Sequence, residues 1–336
     1  MTNLQTILPA QAGDLTAPGV DEREAMKALL RDRDTHAELM ARLSCMNRVE
    51  APPRALSRTV LDFPLTVAAW NLERCLFPKQ SAALLKHERA NIVLLSEVDD
   101  GMARTGQHHT SAEIADALGM AYAFGVEFLE LGLGSPKELG FAKDLHNARG
   151  FHGNALLAAS AIHTPVMIRL DHDGHWFVPE SPEHRIGGRC AIAGAVLTMA
   201  GPLLAVSVHL ESNANAAFRE RQMNVLFDAV DTLAAGFPVI VGGDLNTGLA
   251  DDGDFEKEGL FARAADRGYA RHGGPLDAMT TRASLISTAP KHGWKLDWFL
   301  TRGLMVTGSR IVPALAPDET PLSDHELMIC EIAGFE

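Results

Sequence analysis

The stretch VIVGGDLN, residues 239–246, joins an apolar run to two glycines and then to the polar side chains Asp244 and Asn246. Three consecutive β-branched residues before a glycine pair are typical of a buried strand. A carboxylate at the end of such a strand cannot be buried without a partner, which makes it a candidate for function. Because Gly, Asp and Asn also form turns, the stretch taken alone fits a simple turn after a strand as well.

Outward from this stretch, other apolar runs also end at a carboxylate, an amide or an imidazole. VAAWNLE (67–73) ends in Asn71 and Glu73, IVLLSE (92–97) ends in Glu97, and LAVSVH (204–209) ends in His209. Near the C-terminus, Asp297 lies at the start of a strand-like run, and Asp324 and His325 precede the last one. We expect these strand ends to build one acidic site.

Short apolar runs alternate with amphipathic segments from residue 65 onward, which predicts an α/β architecture with buried sheets and helices outside them. Residues 1–20 are predicted to be a loose arm, residues 21–45 a helix, and residue 61 the approximate start of the main domain, so that residues 1–60 precede a domain of residues 61–336. Strands are predicted over 65–72, 91–98, 122–128, 153–159, 191–199, 203–210, 238–242, 296–300 and 327–332. Helices are predicted over 79–88, 111–118, 214–233 and 255–267.

The composition limits which cellular compartment and which class of substrate fit this protein. Thirty basic and 43 acidic residues give a net charge of −13, which weighs against a polyanionic nucleic-acid substrate. The four cysteines are scattered and lack a CxxC pair, as expected for the reducing cytoplasm. The first residues do not have the pattern of a signal peptide, and no apolar run reaches the length of a membrane span.

The candidate side chains are mainly oxygen donors, which suit a hard cation such as Mg²⁺ or Mn²⁺ better than zinc. A carboxylate-bound divalent cation polarises a phosphoryl oxygen, and a histidine held by an aspartate acts as a base or as an electrostatic clamp. The residue types therefore favour phosphate chemistry.

The ordered set of motifs resembles the endonuclease/exonuclease/phosphatase family, which includes DNase I-like nucleases. The motifs that carry the resemblance are WNLE (70–73), IVLLSE (92–97), GNALL (153–157), SVHLES (207–212), GGDLNT (242–247), LDWF (296–299) and SDH (323–325). The resemblance implies a four-layer α/β sandwich, in which two packed mixed β-sheets are flanked by helices, with an N-terminal helical extension.

The resemblance also implies roles for these residues. Glu97 would be the principal ligand of the metal, Mg²⁺ or Mn²⁺, with Asn71 close by and Asp324 contributing. His325 would face the scissile phosphate, and Asp297 would orient this histidine.

The remaining roles concern water and substrate. The resemblance implies that Asp244 positions or deprotonates the attacking water, that Asn246 holds the phosphate and that His209 hydrogen-bonds a phosphoryl oxygen. Asn154 borders the site in the GNALL motif. Arg104 and Arg189 are candidate anion clamps, although surface salt bridges explain these arginines equally well.

Some residues depart from the family pattern or have a second interpretation. Arg74 and Cys75 follow the first motif where a glycine is common, and Ser96 replaces a common Gln. His209 taken alone fits a satisfied core histidine, and the polar run at 107–109 fits a solvated loop better than a ligand set. The long segment 101–149, with Glu127 and Glu130, is a candidate specificity insert over the pocket.

Three functions fit these observations. The first is a cytoplasmic phosphodiesterase or phosphatase that hydrolyses a phosphorylated small molecule or a lipid-like substrate by in-line attack of water. The second is a nuclease, which the acidic charge and the scarcity of stacking aromatics disfavour. The third is a binding protein or a non-hydrolytic metal enzyme on the same scaffold.

Overall fold

The computed structural model describes residues 5–181, 183–249, 253–288 and 293–336. Two mixed β-sheets pack face to face, and helices cover the outer face of each. The strands are β1 (Ile7–Leu8), β2 (Gln11–Ala12), β3 (Val49–Glu50), β4 (Leu65–Arg74), β5 (Ile92–Asp100), β6 (Ala121–Glu130), β7 (Phe151–Ala158), β8 (Ile162–Arg169), β9 (Arg185–Gly187), β10 (Cys190–Thr198), β11 (Gly201–His209), β12 (Val239–Asp244), β13 (Ala270–His272), β14 (Asp297–Arg302), β15 (Leu304–Val312) and β16 (Leu327–Phe335).

The α-helices lie between these strands and before them. They are α1 (Val20–Lys27), α2 (Arg33–Arg42), α3 (Pro78–His87), α4 (Thr110–Leu118), α5 (Pro136–Leu139), α6 (Ala216–Ala234) and α7 (Gly259–Asp266). Short 3-10 turns lie at Ser44–Asn47, Ala103–Thr105 and Phe255–Lys257. Within the described residues, no helix has the length and apolar character needed to cross a membrane.

The sheets differ in size and share one core. The seven-stranded sheet has the order β1-β8-β10-β11-β12-β14-β13, and the nine-stranded sheet has the order β15-β16-β4-β5-β7-β6-β3-β2, with β9 paired to β6. Side chains alternate along each strand, so Val67 and Ala69 of β4 enter the core between the sheets, whereas Ala68 and Trp70 pack against the outer helices. Both faces are covered, which explains why the strands read as continuous apolar runs.

The N-terminal residues belong to the sandwich, which corrects the expectation of a loose arm. Strand β1 pairs with β8 in the smaller sheet, and β2 pairs with β3 in the larger one. The predicted single helix over residues 21–45 is also wrong. It breaks into α1 and α2, because Asp32 caps the start of α2 by accepting a hydrogen bond from the backbone N–H of Thr35.

Other differences from the predicted elements lie at the sheet margins and within the supposed insert. The strands β8, β9 and β15 were not expected, and the α-helix predicted over residues 255–267 begins only at Gly259. Most of segment 101–149 is the scaffold itself, since it contains α4 and the buried strand β6. The connection from residue 131 to residue 150 contains α5, and its residues are mostly exposed or partly exposed, with Glu138 and Asn147 buried.

Candidate active site

The pairing register of the strands brings the predicted polar residues to one edge of the sandwich. In the smaller sheet, His209 of β11 is opposite Asp244 of β12, and Asp244 is opposite Asp297 of β14. In the larger sheet, the parallel strands β4 and β5 place Asn71 opposite Ser96, one residue before Glu97. Carboxyl ends of parallel neighbours meet at the same sheet edge, so the two sheets contribute side chains to one site.

Backbone contact between β11 and β12 is close where β12 enters the site. Gly243 has φ +147°, and a Cβ there would lie 2.0 Å from the carbonyl oxygen of Val208. A glycine is therefore required directly before Asp244. This approach explains the second glycine of the opening motif, whereas a Cβ at Gly242 would meet the side chains of Phe299 and Leu94.

His325 and Asp297 form a buried dyad. The Nδ1 atom of His325 lies 2.8 Å from Oδ2 of Asp297, and its Nε2 atom lies 3.6 Å from Oδ2 of Asp244. Burial alone disfavours a charged imidazole, but Asp297 and Asp244 outweigh it and hold the pKa of His325 well above its ordinary value. A cationic imidazole facing this edge is suited to stabilise charge on an anion.

Asn71 links the two sheets across the site. Its Nδ2 atom donates hydrogen bonds of 3.1 Å both to Oε1 of Glu97 and to Oδ2 of Asp244. The carbonyl oxygen of Asn71 in turn accepts from the hydroxyl of Ser323, two residues before His325. One amide thus fixes the separation of two carboxylates that would otherwise repel each other.

His209 lies between the same two carboxylates. Its Nε2 atom is 3.6 Å from Asp244 Oδ2 and 3.9 Å from Glu97 Oε1, and the side chain is almost fully buried. Arg189 packs directly against the ring, with Nη1 2.8–2.9 Å from its nitrogens. His209 is therefore surrounded by charged side chains and does not pack only against apolar core residues.

Asn246 caps the strand end beside Asp244. Its backbone N–H donates to Asp244 Oδ1 over 2.8 Å, and its Nδ2 donates to the carbonyl of Leu210 over 2.9 Å. Burial raises the pKa of Asp244, and Asp297 adds to this effect while His325 opposes it. A carboxylate with a raised pKa is better able to accept a proton from water than an ordinary one.

Glu97 and Asp324 are the most open carboxylates of the site, with side chains 19% and 23% exposed. Burial raises the pKa of Asp324. Burial acts in the same direction on Glu97, but Arg74 and His209 outweigh it and hold the pKa of Glu97 well below its ordinary value. Glu97 is therefore ionised, as a metal ligand must be.

The oxygen donors at this edge fit a hard divalent cation. Glu97 and Asp324 offer carboxylate oxygens, and Asn71 lies between the sheets beside Glu97. A second group of potential ligand atoms, from Asp244, Asp297 and His325, lies within 4.8 Å of one another. In that group the His325–Asp297 hydrogen bond already uses one nitrogen and one oxygen.

The sequence assigned no metal-binding or catalytic role to two acidic residues near the site, Glu73 and Glu127. Glu73 is buried, and burial followed by the nearby charge of Asp324 raises its pKa to about 7. Glu127 lies in β6 and accepts hydrogen bonds from Arg189 and Asn154. The signal for Glu73 was its position in the first motif, whereas a lone carboxylate within an apolar strand marks Glu127.

The structure places the candidate substrate-binding residues behind the site. Arg104 is 1% exposed and its guanidinium is engaged by Asp99, Glu130 and Glu138. It is part of a buried ion network and does not face open space, which corrects its interpretation as a substrate clamp.

Arg189 and Asn154 are also enclosed. Arg189 pairs with Glu127 at 2.6 Å and with Glu211 at 3.2 Å, so it supports His209 from behind. Asn154 is fully buried and donates to Glu127 and to the carbonyl of Cys190. Both residues contact Glu127, and Arg189 also contacts His209 directly.

The two histidines of the 107–109 run have partners of their own. His108 pairs with Glu113 in α4, and His109 Nε2 lies 2.8 Å from Glu50 of β3 while its other nitrogen caps α4. These contacts favour the structural interpretation of the run.

The comparisons with known proteins agree with this geometry. The model of the endonuclease/exonuclease/phosphatase family matches residues 68–325, from β4 to His325. The chain belongs to this family, whose members generally hydrolyse phosphoesters with the help of a divalent metal. No curated protein matches the chain significantly in sequence.

Solved structures share the fold at low sequence identity. An endonuclease/exonuclease/phosphatase from Beutenbergia cavernae is 18% identical with a TM-score of 0.61, covering 81% of this chain and 72% of that one. The catalytic domain of human Nocturnin, solved with a bound sulfate anion, is 19% identical with a TM-score of 0.53, over 81% and 93%. A mannosyl-6-phosphatase from Bacteroides thetaiotaomicron is 14% identical with a TM-score of 0.55, over 80% and 99%.

Proposed function

We propose that this protein is a divalent-metal-dependent hydrolase of a phosphorylated small molecule or lipid-like phosphoester, and that water attacks phosphorus in line with the leaving oxygen. The observation that carries the proposal is the Asn71 bridge. It joins Glu97 of one sheet to Asp244 of the other, beside the His325–Asp297 dyad. One site thereby contains groups suited to bind a metal, to activate water and to stabilise a phosphoryl oxygen.

Glu97, Asn71 and Asp324 would hold Mg²⁺ or Mn²⁺, with Glu73 next to them as a further carboxylate. The oxygen-rich donor set matches the preference of these cations. When bound, the metal polarises a non-bridging phosphoryl oxygen and offsets the charge on the leaving oxygen.

The side chains opposite the metal ligands accept a proton from water and stabilise negative charge on the phosphoryl group. Asp244 accepts a proton from the attacking water, whose oxygen forms the new bond to phosphorus as the bond to the leaving oxygen breaks. Asn246 and His209 bind phosphoryl oxygens, and the cationic imidazole of His325 offsets the charge that develops there. Each such contact is typically worth about 3 kcal/mol in the transition state.

Two facts support a small or lipid-like substrate. The net charge of −13 opposes a long polyanion. One structural neighbour is described as a mannosyl-6-phosphatase, a name that denotes action on a phosphorylated small molecule.

The four free and buried cysteines support action in the reducing cytoplasm.

The test is hydrolysis of bis(4-nitrophenyl) phosphate and a panel of phosphomonoesters with Mg²⁺ or Mn²⁺, before and after addition of EDTA. We expect EDTA-sensitive turnover that falls about 10²–10³-fold in His325→Ala and in Asp244→Asn. Matched controls are His87→Ala and Asp266→Asn, which alter an exposed histidine and an exposed aspartate away from the site.

Plasmid and single-stranded DNA are assayed in parallel at equal enzyme concentration. Nicking or degradation of DNA at low enzyme concentration, with no turnover of the small esters, would identify a nuclease instead. Absence of metal-dependent turnover on every substrate would contradict the proposed hydrolysis.

A further inference from the structure

We propose that Arg74 is an internal cation that competes with the divalent metal for Glu97, and that Glu138 is the carboxylate that keeps Arg74 paired when the metal is bound. The inference rests on the proposed function in one respect, namely that Glu97 is a metal ligand. It adds a residue outside the motif set, which sets how tightly the site takes its metal.

The first support is the division of the two Glu97 oxygens between different partners. Oε1 accepts the hydrogen bond from Asn71, whereas Oε2 is in direct contact with Nη1 of Arg74. A cation therefore already lies on the oxygen that Asn71 leaves available. A metal that binds Glu97 through this oxygen must share it with the guanidinium or displace the guanidinium.

The second support is that Arg74 has another partner of its own. Its Nε atom lies 2.7 Å from Oε1 of Glu138, whose side chain is only 2% exposed. Glu138 is itself held in place, because it accepts from Nη1 of Arg104 at 3.0 Å and from the backbone N–H of Ser135 at 2.6 Å. An arginine that loses Glu97 thus retains a fixed carboxylate and is not left as an unpaired buried charge.

The third support is the backbone that carries Arg74. Glu73, Arg74 and Cys75 have φ of 43°, 75° and 61°, so three consecutive residues other than glycine adopt left-handed conformations. The pairing of β4 with β5 is irregular between Asn71 and Arg74. Such conformations cost free energy and persist only where the surroundings impose them. The chain turns here so that Arg74 faces Glu97 and Glu138.

The expected effect on metal binding follows from charge. A guanidinium beside Glu97 repels a divalent cation and occupies one of its ligand atoms, so its removal should tighten metal binding. Neutralising Glu138 should have the opposite effect, because Arg74 then depends on Glu97 as its remaining direct carboxylate partner. Without Arg74, the charge of Glu138 should matter little to the metal.

Isothermal titration of Mn²⁺ into the full-length protein tests this without any substrate. We expect Arg74→Met to bind Mn²⁺ about tenfold more tightly than wild type and Glu138→Gln to bind it about tenfold more weakly. The double variant should match Arg74→Met. The matched control is Arg310→Met, which removes the positive charge of a half-exposed arginine that pairs with Glu88 and Glu331 and should leave the affinity unchanged.

The same titration separates the inference from the proposed function on which it rests. Binding of Mn²⁺ by wild type, lost in Glu97→Gln, establishes the metal ligand; absence of binding by wild type overturns both proposals. If Glu97 is established as a ligand but Arg74→Met binds Mn²⁺ no more tightly than the Arg310→Met control, Arg74 does not compete with the metal for Glu97. An equal weakening by Glu138→Gln with and without Arg74 also overturns it. Should Arg74→Met fail to fold, the Glu138→Gln arm decides, since unchanged or tighter binding there contradicts the inference.

Discussion

Left-handed backbone conformations occur at several residues of this site. Glu97 has φ 53° within β5, where the pairing of this strand with β4 and β7 is irregular, and Asn246 has φ 50° just after β12, in addition to the three residues from Glu73 to Cys75. At Glu97 and at Glu73 the strand pairing is irregular, whereas Asn246 follows the end of β12. Each conformation costs free energy, which the packed sandwich offsets.

Asn246 offers a direct measurement of this cost. Glycine adopts φ 50° without strain, whereas alanine does not. Both substitutions remove the hydrogen bond from Nδ2 to Leu210, so they differ chiefly in backbone conformation. We expect Asn246→Gly to be more stable than Asn246→Ala by about 1 kcal/mol in urea unfolding, even though glycine also loses more entropy on folding.

Turnover should fall in both Asn246 variants, since the proposed phosphate contact is absent from each. Equal stabilities, or a more stable alanine variant, would show that the left-handed conformation carries no cost at this position.

At the scale of elements, α2 docks on the larger sheet through a buried histidine. His36 is 1% exposed, and its Nε2 atom lies 3.0 Å from the carbonyl oxygen of Gly187 in β9. Its ring packs near Phe177, with centroids 5.7 Å apart. Burial, the largest effect, lowers the pKa of His36 to about 4.

This docking predicts a loss of stability in acid. The folded-state pKa lies below the ordinary value of 6.5, so the unfolded chain takes up a proton first as the pH falls. The neutral His36 contributes fully to the free energy of unfolding above about pH 6.5, and this contribution is lost progressively toward pH 4. The loss amounts to about 2–3 kcal/mol at pH 4.5. Urea unfolding of wild type and His36→Phe at pH 7.5 and 4.5 measures it.

The His36→Phe variant should lack this part of the pH dependence. Asp100 and Asp171, whose pKa values burial raises to about 6, change stability in the opposite direction but are present in both proteins. Identical pH profiles for the two proteins would contradict the docking argument, and the exposed His87→Ala serves as the control.

Strands with both faces covered could be predicted from the sequence, whereas strands with irregular pairing or at a sheet edge could not. The runs that became β4, β5, β11 and β12 are uninterrupted and apolar because helices and the opposite sheet bury them. Strand β8 contains Pro165 at an irregular point of its pairing with β10, which removes the usual strand signal. Strand β15 lies at a sheet edge and is half exposed, so its apolar residues do not alternate cleanly.

The same distinction applies to the site. Polar residues at which an apolar run of the sequence stops could be located, as at Glu97 and Asp244. The Arg74–Glu138 contact joins positions 64 residues apart, and neither side chain lies in a periodic pattern that would reveal its partner. Long-range ion pairing is set by the packed structure, which residue spacing does not encode.

At the scale of the whole molecule, residues 5–60, which lie outside the family match, contribute strands to both sheets. Strand β1 extends the smaller sheet, whereas β2 and β3 extend the larger one. Residues of α1, α2 and the following turn, including Met26, Leu39 and Met46, are buried in the core beneath the larger sheet. Arg169 donates to the carbonyl of Met46 and to that of Val126, which fastens this segment to β6.

We therefore expect the fragment of residues 61–336 not to fold independently, even though it contains every motif and every proposed site residue. Removal of the segment exposes apolar surface on both sheets, and each large apolar side chain left uncovered costs about 1.5–3 kcal/mol. Expression of the fragment beside the full-length chain, followed by circular dichroism and urea unfolding, measures the effect. A cooperative transition within about 1 kcal/mol of the full-length protein would instead show that residues 1–60 are a dispensable addition to an independent domain.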